Sequence, residues 1–451
     1  MFHVVEIPLW LLVVILLFAA VTFASHFLFP SVRWFFRRRM EKAVAKLNAR
    51  LTRPIEPFKL ARRHDMIQRL IYDREVWEAI SQHAKKEGVP ENVAFERAKR
   101  YAREIVPSFS ATMYYGFAIR LARFLSRRLY RVRLGEYAQE TLAAVDRDAT
   151  VVFVMNHRSN MDYVLVTYLA AEQSTLSYAV GEWARVWPLS RLIRAMGAYF
   201  IRRKSRGELY RRVLGRYVAL ATEGGVTQAV FPEGGLSLDG ALAKPKLGIL
   251  SYIVSGYDAV ARDVVFVPVA INYDRVFEDK ILVAAAARGD RRFGARISVV
   301  AKYACRLTWR WLRGRYHRFG YAAVSFGAPL SLRDFAGQGT IDVDKLGEDL
   351  MQRIGAVVPV LPVPLAATVF VQAEGALTKD AFGAAFAALV ESMPEAHIHA
   401  PREDMAYAID YGLRNLEARG FIALQEGAYR VTREGAPLVR YYASSIAHLL
   451  R

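Results

Sequence analysis

Apolar residues first form a continuous run, from Ile7 to Phe29, whose 23 positions hold no formal charge. A helix of this length reaches about 35 Å, which is enough to cross a bilayer core of about 30 Å. Because Arg33 and the run Arg37–Arg39 follow, the positive-inside rule places the rest of the chain in the cytoplasm. The pattern therefore predicts a single-pass transmembrane helix over residues 7–29, in the cell (inner) membrane. A cleaved signal peptide is the alternative, but the start "MFHVVE" lacks the basic residues it needs.

Residues 33–143 carry apolar positions at helical spacing with charges between them, which predicts a basic helical region. Pro90 and Pro107 indicate helix boundaries. The segment "FAIRLARFLSRRLYRVRL", residues 117–134, is amphipathic and strongly basic. It fits either a solvated helix face or a contact with the headgroups of anionic membrane lipids.

Residues 144–335 alternate short apolar runs with helical stretches. The runs are "TVVFVMN", "GAYFIRR", "TQAVFPEGG", "DVVFVPVAINY", "RISVVAKYACRLTW" and "YAAVSFGAPL". Such alternation predicts an α/β domain, with a mixed, largely parallel sheet flanked by helices. Pro268 interrupts one of these runs, which argues for a bulge or a sheet edge there.

Residues 336–451 predict a small α+β module. The prolines of "PVLPVPL" indicate a linker, "EDMAYAIDYGLRNLEARG" predicts a helix ending at Gly420, and "FIALQEGAYRV" predicts a hairpin. A helix followed by a hairpin resembles a winged helix, so a DNA-binding regulator stays open as an alternative.

Composition narrows the choice of partner. The chain has 451 residues, 53% of them hydrophobic, with a formal net charge of +20. Such a charge predicts an anionic partner: membrane lipid, nucleic acid or a phosphate-bearing substrate. The apolar start makes nucleic acid the weakest of the three. With Cys305 as its single cysteine, the chain forms no internal disulfide.

His157 and Asp162 stand five positions apart in "VMNHRSNMDY", directly after an apolar run. On one continuous helix their side chains would point roughly 140° apart. Ser159 and Asp162 form an S-x-x-D capping pattern, however, so the helix can begin after His157 and the two side chains can face each other. Asp162 then either caps the helix only, or orients an imidazole that takes a proton from a substrate hydroxyl.

Two further segments carry candidate binding residues. Glu233 is followed by Gly234 and Gly235, which permit close approach of a ligand to the backbone. Arg202 and Arg203 suit a phosphate through bidentate contacts. An ordinary turn and a solvated basic loop are the alternative interpretations.

Other chemistries find little support. The chain has no G-x-x-x-x-G-K-[ST] motif, and Asp239 stands where a G-x-S-x-G elbow needs its last glycine. His397 and His399 in "HIHA" have no accompanying cysteine, so we interpret them as a solvated loop and predict no metal.

The blocks "NHRSNMD", "GAYFIRR", "FPEGG" and "FVPVAINYD" follow one another over about 120 residues. This order resembles the four-block pattern of the glycerolipid acyltransferase superfamily, and in particular its glycerol-3-phosphate acyltransferase branch. Flanking segments such as "EIVPSFS", "KPKLGIL" and the terminal "YYASSIAHLL" extend the resemblance to roughly residues 65–335 and the tail.

The resemblance implies that His157 is a general base and Asp162 its partner. It implies a glycerol phosphate contact at Arg202 and Arg203, an acceptor-binding block at Glu233 and Gly234, and a fourth block at Pro268. The full set of candidate substrate-binding residues is Arg158, Arg202, Arg203, Glu233, Gly234, Gly235, Lys244, Lys246 and Pro268.

One departure concerns the third block, where the family commonly shows E-G-x-R-S-R. Leu236 and Leu238 replace the two arginines here. Either Lys244, Lys246 or the arginines near residue 202 compensate, or the acceptor differs from glycerol 3-phosphate.

The resemblance thus implies a membrane-anchored O-acyltransferase. It would move a fatty acyl group from acyl-CoA or acyl carrier protein to glycerol 3-phosphate, the first step of phospholipid synthesis, without a cofactor. A lysophosphatidic acid (1-acylglycerol-3-phosphate) acyltransferase is one alternative. A catalytically inactive membrane-bound scaffold or DNA-binding regulator is another.

Overall fold

The computed structural model describes residues 8–137, 142–170, 175–181, 189–202, 207–289, 319–337, 339–373, 375–401 and 404–450. For residues 21–34, 36–37, 40 and 136–137 it describes the backbone only. The chain divides into two compact units, residues 1–55 and 56–451. The strand predicted in "RISVVAKYACRLTW", including Cys305, lies outside the described residues, as does Arg203.

The first unit consists mainly of helix α1, Leu9–Asn48. Large apolar side chains at its start are exposed, with 78% of Leu9, 69% of Trp10 and 74% of Phe18 accessible to solvent. Within the described residues, we find no helix whose length and apolar character would let it cross a membrane. The transmembrane helix predicted over residues 7–29 is therefore not confirmed.

The second unit opens with helices, as the spacing of apolar residues predicts. Proline positions match the helix ends: α5 starts directly after Pro90 and ends shortly before Pro107. The helices are α2 (Pro57–Leu60), α3 (Arg63–Ile71), α4 (Arg74–Glu87), α5 (Glu91–Ile105), a π-helix (Thr112–Ala118) and α6 (Ile119–Leu129).

A mixed, largely parallel sheet follows, which confirms the predicted fold class. The described strands are β1 (Arg131–Tyr137), β2 (Thr150–Met155), β3 (Ser177–Gly181), β4 (Tyr199–Ile201), β5 (Gln228–Val230), β6 (Val264–Tyr273), β7 (Tyr321–Phe326) and β8 (Leu330–Ser331). Their order is β1-β7-β6-β2-β5-β3-β4, with β8 also paired to β6. Strands β6, β2, β5, β3 and β4 run parallel, so their carboxyl ends meet at one edge of the sheet.

Strand β1 differs from the prediction. The sequence pattern indicated a helical segment through residue 134, but the chain forms a strand from Arg131 onward. Helix α6 ends at Leu129, and Arg131 pairs with Tyr321 at the outer side of β7. The guanidinium groups of Arg131 and Arg133 lie over the Tyr321 ring, 5.5 and 5.7 Å from its centre. Because Arg131, Val132, Arg133 and Leu134 also alternate with a period of two, the same residues suit a strand.

Pro268 lies within a central strand, so the expectation of a sheet edge is wrong. Strand β6 pairs with β2 on one side, and on the other with β8 up to Phe266 and with β7 from Val269 onward. The Pro268 carbonyl accepts a hydrogen bond from Gly327 N at 2.9 Å in the interval between those two partners. Gly327 lies one residue beyond the end of β7, so the N–H that proline lacks falls at the end of this ladder and not in its middle.

Helices cover both faces of the sheet. After β2 come α7 (Met161–Ala170), α8 (Leu189–Ala195), α9 (Glu208–Glu223), α10 (Gly248–Ser255) and α11 (Asp279–Ala287). The C-terminal region adds α12 (Leu332–Ala336), α13 (Val343–Ala356), α14 (Pro362–Gln372), α15 (Lys379–Glu391), α16 (Met405–Ala418), α17 (Ala436–Ser444) and a 3₁₀-helix (Ala447–Leu449).

Two predictions for the C-terminal region have opposite outcomes. The hairpin is confirmed: β9 (Ile422–Gln425) and β10 (Ala428–Val431) pair across Glu426 and Gly427, whose φ angles are 50° and 78°. The proline-rich linker is wrong, because Pro362 and Pro364 lie buried in the first turn of α14. Proline fits there since the first turn needs no internal N–H bond.

Candidate active site

Asn156 fixes the point where the chain leaves β2. Its side-chain amide donates to Ile271 O at 2.9 Å and accepts from Ile271 N at 2.8 Å, so it is bonded to the adjacent parallel strand β6. The loop that follows therefore starts from a defined position at the carboxyl edge of the sheet.

His157 and Asp162 meet in this loop. Nδ1 of His157 lies 2.9 Å from Oδ2 of Asp162, and both side chains are buried. Helix α7 begins only at Met161, so the two residues do not share a continuous helix. The predicted juxtaposition is confirmed.

The S-x-x-D capping pattern is confirmed as well. Oδ2 of Asp162 accepts the backbone N–H of Ser159 at 3.0 Å, and Ser159 Oγ accepts Met161 N at 3.1 Å. The same carboxylate oxygen also accepts Arg158 N at 2.8 Å. Asp162 thus both caps the helix and orients the imidazole, so the two interpretations of this residue are compatible.

The remaining ring nitrogen suits a general base. With Nδ1 donating to a carboxylate, Nε2 of the neutral imidazole carries a lone pair that can accept a proton. Phe231 stacks on the ring at 4.1 Å between centroids, and Tyr163 meets it edge-on at 5.5 Å. These contacts limit rotation of the imidazole.

Glu233, which follows β5, is hydrogen-bonded to the backbone of the same loop. Its Oε1 accepts His157 N at 2.9 Å and its Oε2 accepts Ala243 N at 3.3 Å. Burial raises the pKa of this carboxyl to about 7. In this structure Glu233 holds two stretches of backbone together.

Gly234 has a left-handed conformation, with φ of 67°. A Cβ atom at this position would lie 2.7 Å from Cδ of Lys246. The glycine therefore makes room for the lysine side chain, whereas we expected it to admit a ligand. Gly235 beside it is half-buried, and Lys244 is exposed.

Leu236 and Leu238 pack against the apolar core, so they supply no phosphate ligand. Pro268 is buried in β6 opposite Val154 of β2.

Arg158 is the largest fully buried side chain of the site, with 2% of its surface exposed. Its Nη2 donates to Ser445 O in the C-terminal region at 3.1 Å. Among the described residues, its Nε and Nη1 atoms have no hydrogen-bond partner. The guanidinium lies close enough to Glu233 to oppose the rise in that carboxyl's pKa.

Arg202 lies at the same sheet edge, but three strands away at the end of β4. At about 4.8 Å per strand this corresponds to about 14 Å from β2. Its guanidinium binds Glu104 of α5 through two contacts, Nε to Oε1 at 2.8 Å and Nη2 to Oε2 at 2.5 Å. The predicted phosphate contact is thus occupied by a carboxylate in this structure.

Sequence reasoning missed two residues that hold the histidine loop. The Tyr273 hydroxyl donates to Oδ1 of Asp162 at 2.6 Å, and Glu278 accepts Ser159 Oγ at 2.7 Å and Asn160 N at 3.2 Å. Both belong to or closely follow β6. Because adjacent parallel strands end at one edge, polar residues after each of them were the available signal.

An apolar cavity of about 220 Å³ adjoins the pair. It lies between the π-helix and α6 on one side and α7, α8 and β3 on the other. Tyr163, which contacts the His157 ring, forms part of its wall. The other lining residues include Phe117, Leu121, Ala122, Leu125 and Met196.

His397 and His399 are half-buried, so the prediction of a solvated loop is wrong. Backbone hydrogen bonds join them to Val360, and the His399 ring packs 5.2 Å from that of Tyr321. Burial lowers the pKa of His399 to about 4. Across the described parts of the chain, no three His, Cys, Asp or Glu residues cluster as a metal site would require.

Two family models match the chain. The acyltransferase model covers residues 132–272, and that of the glycerol-3-phosphate acyltransferase C-terminal region covers residues 309–451. The sheet with its histidine loop is thus an acyltransferase domain. With both matches in one chain, it is similar to the glycerol-3-phosphate acyltransferase family.

A curated relative, the glycerol-3-phosphate acyltransferase of Aeromonas hydrophila, is 28% identical over 424 residues, which cover 87% of this chain and 50% of that protein. The chain therefore spans about half the length of this relative. A crystal structure of the 1-acyl-sn-glycerophosphate (LPA) acyltransferase from Thermotoga maritima is 18% identical, with a TM-score of 0.33, over 64% of this chain and 95% of that one.

Proposed function

We propose that the chain transfers a fatty acyl group from a thioester donor, acyl-CoA or acyl carrier protein, to the hydroxyl of glycerol 3-phosphate. The observation that carries this proposal is the hydrogen bond between Nδ1 of His157 and Asp162, beside an apolar cavity. The matched family models and the name of the relative support the same substrates.

His157 would act as the base. Its Nε2 takes the proton from the acceptor hydroxyl while the hydroxyl oxygen attacks the thioester carbonyl carbon. The tetrahedral intermediate then collapses, the C–S bond breaks, and the departing thiolate takes the proton from the imidazolium. Asp162 stabilises that imidazolium, which is charged between the two proton transfers.

The apolar cavity would hold the acyl chain. Its lining is almost entirely hydrocarbon, and Asn160 and Tyr163 line it next to the histidine loop. A chain lying there would present its thioester carbon near His157.

Acylation of lysophosphatidic acid is the second candidate. It is favoured by Leu236 and Leu238, which make this block apolar where the related sequences commonly carry arginine, because lysophosphatidic acid differs from glycerol 3-phosphate by its acyl chain.

An acceptor screen tests this assignment. We expect the chain, reconstituted with labelled palmitoyl-CoA, to label glycerol 3-phosphate. Labelling of lysophosphatidic acid alone would establish the second candidate, and labelling of neither by an intact preparation would contradict acyl transfer. Nucleic-acid binding in that last case would favour a DNA-binding regulator.

We also propose that the chain works at the inner membrane with its catalytic unit in the cytoplasm. Exposed apolar side chains at the start of α1, and the exposed Phe117 and Phe124 beside the arginines of α6, support contact with anionic lipid. We expect the chain to sediment with phosphatidylglycerol vesicles and to be released by salt. Equal binding to neutral vesicles would contradict the role of the arginines.

A further inference from the structure

We propose that Tyr273 is a positioning residue for the reaction, and that its hydroxyl fixes Asp162 so that the carboxylate holds His157 in the basic orientation. This inference rests on the proposed function, and it adds a third member to the pair. Tyr273 is the last residue of β6, 111 positions from Asp162 in the sequence.

The hydrogen bonds of Asp162 are divided between its two oxygens. Oδ2 accepts Nδ1 of His157 and the backbone N–H groups of Arg158 and Ser159. Oδ1 is held by the Tyr273 hydroxyl at 2.6 Å. With both oxygens held, the carboxylate plane has a fixed orientation, and Oδ2 stays opposite Nδ1.

Within the part of the chain that the structure describes, the Tyr273 hydroxyl is held by this contact. The side chain is 0% exposed, and within the described residues the Asp162 carboxylate is the hydroxyl's hydrogen-bond partner. The ring itself packs 5.2 Å from that of Tyr130. Phenylalanine would keep the ring packing and lose only the donor.

Loss of the donor should change how Asp162 interacts with the His157 ring. A carboxylate that no longer accepts a hydrogen bond from tyrosine keeps more of its negative charge for its other partners, among them Nδ1 of His157. Among the described residues, the other titratable groups that interact with Asp162 or Tyr273 are Glu233, Glu278 and Tyr130. A Tyr273→Phe change leaves all three in place.

The matched control is Tyr130→Phe. Tyr130 is also buried and its ring packs at a tilt against that of Tyr273, but its hydroxyl donates to the backbone of Arg275 at 2.9 Å. Each variant removes one buried hydroxyl from the same aromatic pair, and only one of the two hydroxyls touches Asp162.

For Tyr273→Phe we expect kcat to fall at least about tenfold, as for loss of a hydrogen bond to a charged group. We expect KM for donor and acceptor to change less than about twofold, and the acid limb of the pH–rate profile to move to higher pH. Tyr130→Phe should keep the wild-type profile. An unaltered kcat or an unmoved acid limb in folded Tyr273→Phe would overturn the inference.

A second variant keeps the test decisive if Tyr273→Phe does not fold. Replacement of Tyr273 by 3,5-difluorotyrosine retains the hydroxyl and strengthens it as a donor, so the acid limb should move to lower pH. An acid limb unchanged or moved to higher pH would contradict the inference. If the wild-type chain transfers no acyl group to any acceptor, the proposed function is contradicted. If the wild-type chain is active and the Tyr273 variants behave like it, only the role of Tyr273 is contradicted.

Discussion

Asp162 is the residue on which the geometry of the site depends most. Its carboxylate accepts hydrogen bonds from the His157 ring, two backbone N–H groups and the Tyr273 hydroxyl. The ionised form offers about four lone-pair sites, which matches these donors. The same contacts that start α7 therefore also orient the His157 imidazole.

Asp162→Asn should separate this residue from an ordinary cap. An amide turns one acceptor oxygen into a donor, so at least one buried donor loses its partner. We expect acyl transfer to fall by about 10²–10⁴ and the free energy of unfolding to fall by about 1–3 kcal/mol. Steady-state kinetics and urea unfolding measure the two effects.

Asp239→Asn is the control for that change. Its carboxylate also accepts a backbone N–H, from Ala241, but on an exposed turn. We expect little change in either quantity. An Asp162→Asn variant with full turnover would contradict the general-base mechanism.

Glu233 makes stability depend on pH in a direction opposite to that of a salt-bridged carboxylate. Burial raises its pKa from 4.5 to about 7 in the folded chain. Between those pH values the folded chain holds a proton that the unfolded chain has released. The contribution of Glu233 to the free energy of unfolding is therefore fully present below about pH 4.5, and it is lost as the pH rises through about 7.

Glu233→Gln should remove this contribution. Asp274, whose pKa burial also raises to about 7, keeps its own contribution in both proteins. We expect the free energy of unfolding, measured in urea at pH 5 and pH 7.5, to fall less steeply with pH in the variant. Equal falls in variant and wild type would show that Glu233 is ionised in the folded chain throughout.

At the scale of elements, the π-helix and α6 form one wall of the apolar cavity. Ala122 and Leu125 of α6 line it, whereas Phe124 on the same helix is 63% exposed. One face of the helix thus bounds the cavity and the other carries arginine and phenylalanine to solvent.

Ala122→Leu should shorten the acyl chain that the cavity accepts. Each CH₂ excluded from an apolar site costs about 0.8 kcal/mol, so exclusion of two should cost about tenfold in kcat/KM. We expect that loss with palmitoyl-CoA but not with octanoyl-CoA.

Phe124→Leu is the control on the exposed side of the same helix, and it should leave the preference for chain length unchanged. If Ala122→Leu lowers transfer equally with both donors, the acyl chain does not lie in this cavity.

Single elements could be predicted where one period of the pattern dominated. The helices before residue 107, the hairpin and the loop at His157 follow from local spacing, prolines and a capping pattern. Strand β1 could not be distinguished, because residues 131–134 fit both a helical and an alternating pattern. Pro268 was misjudged because its tolerance depends on β7 and β8, which lie far away in the sequence.

At the scale of the whole molecule, the C-terminal region shares one hydrophobic core with the sheet that carries the site. Apolar residues of β2, β6, α14 and α17 belong to one continuous core. Arg419 forms a buried ion pair with Asp279, the residue after Glu278, and Tyr442 donates to the same carboxylate at 2.5 Å. Glu278 in turn holds Ser159 and Asn160 beside the pair.

Arg419→Met should therefore destabilise the chain. The arginine and Asp279 side chains are only 11% and 7% exposed, so the change leaves a buried carboxylate without its cation. We expect a loss of about 3–5 kcal/mol in the free energy of unfolding. Arg414→Met, which breaks an exposed pair with Asp410, should cost less than about 1 kcal/mol. Similar losses in the two variants would contradict this account.

Contacts between distant parts of the chain explain what the sequence did not reveal. Nothing near Arg202 indicates that Glu104 of α5 binds it, and nothing near Arg158 indicates that it reaches Ser445. Tyr273 reaches Asp162, and Glu278 reaches Ser159 and Asn160, because β6 lies beside β2. Local patterns identified the His157–Asp162 pair, while the residues that support it depend on the order of strands.

The central claim is that the imidazole of His157 activates an acceptor hydroxyl. The most direct test is single-turnover transfer of a labelled palmitoyl group to glycerol 3-phosphate by wild type and by His157→Ala at equal occupancy by the donor. We predict a loss of about 10²–10⁴ in the variant, with palmitoyl-CoA binding retained. Transfer at the wild-type rate by folded His157→Ala would contradict the mechanism.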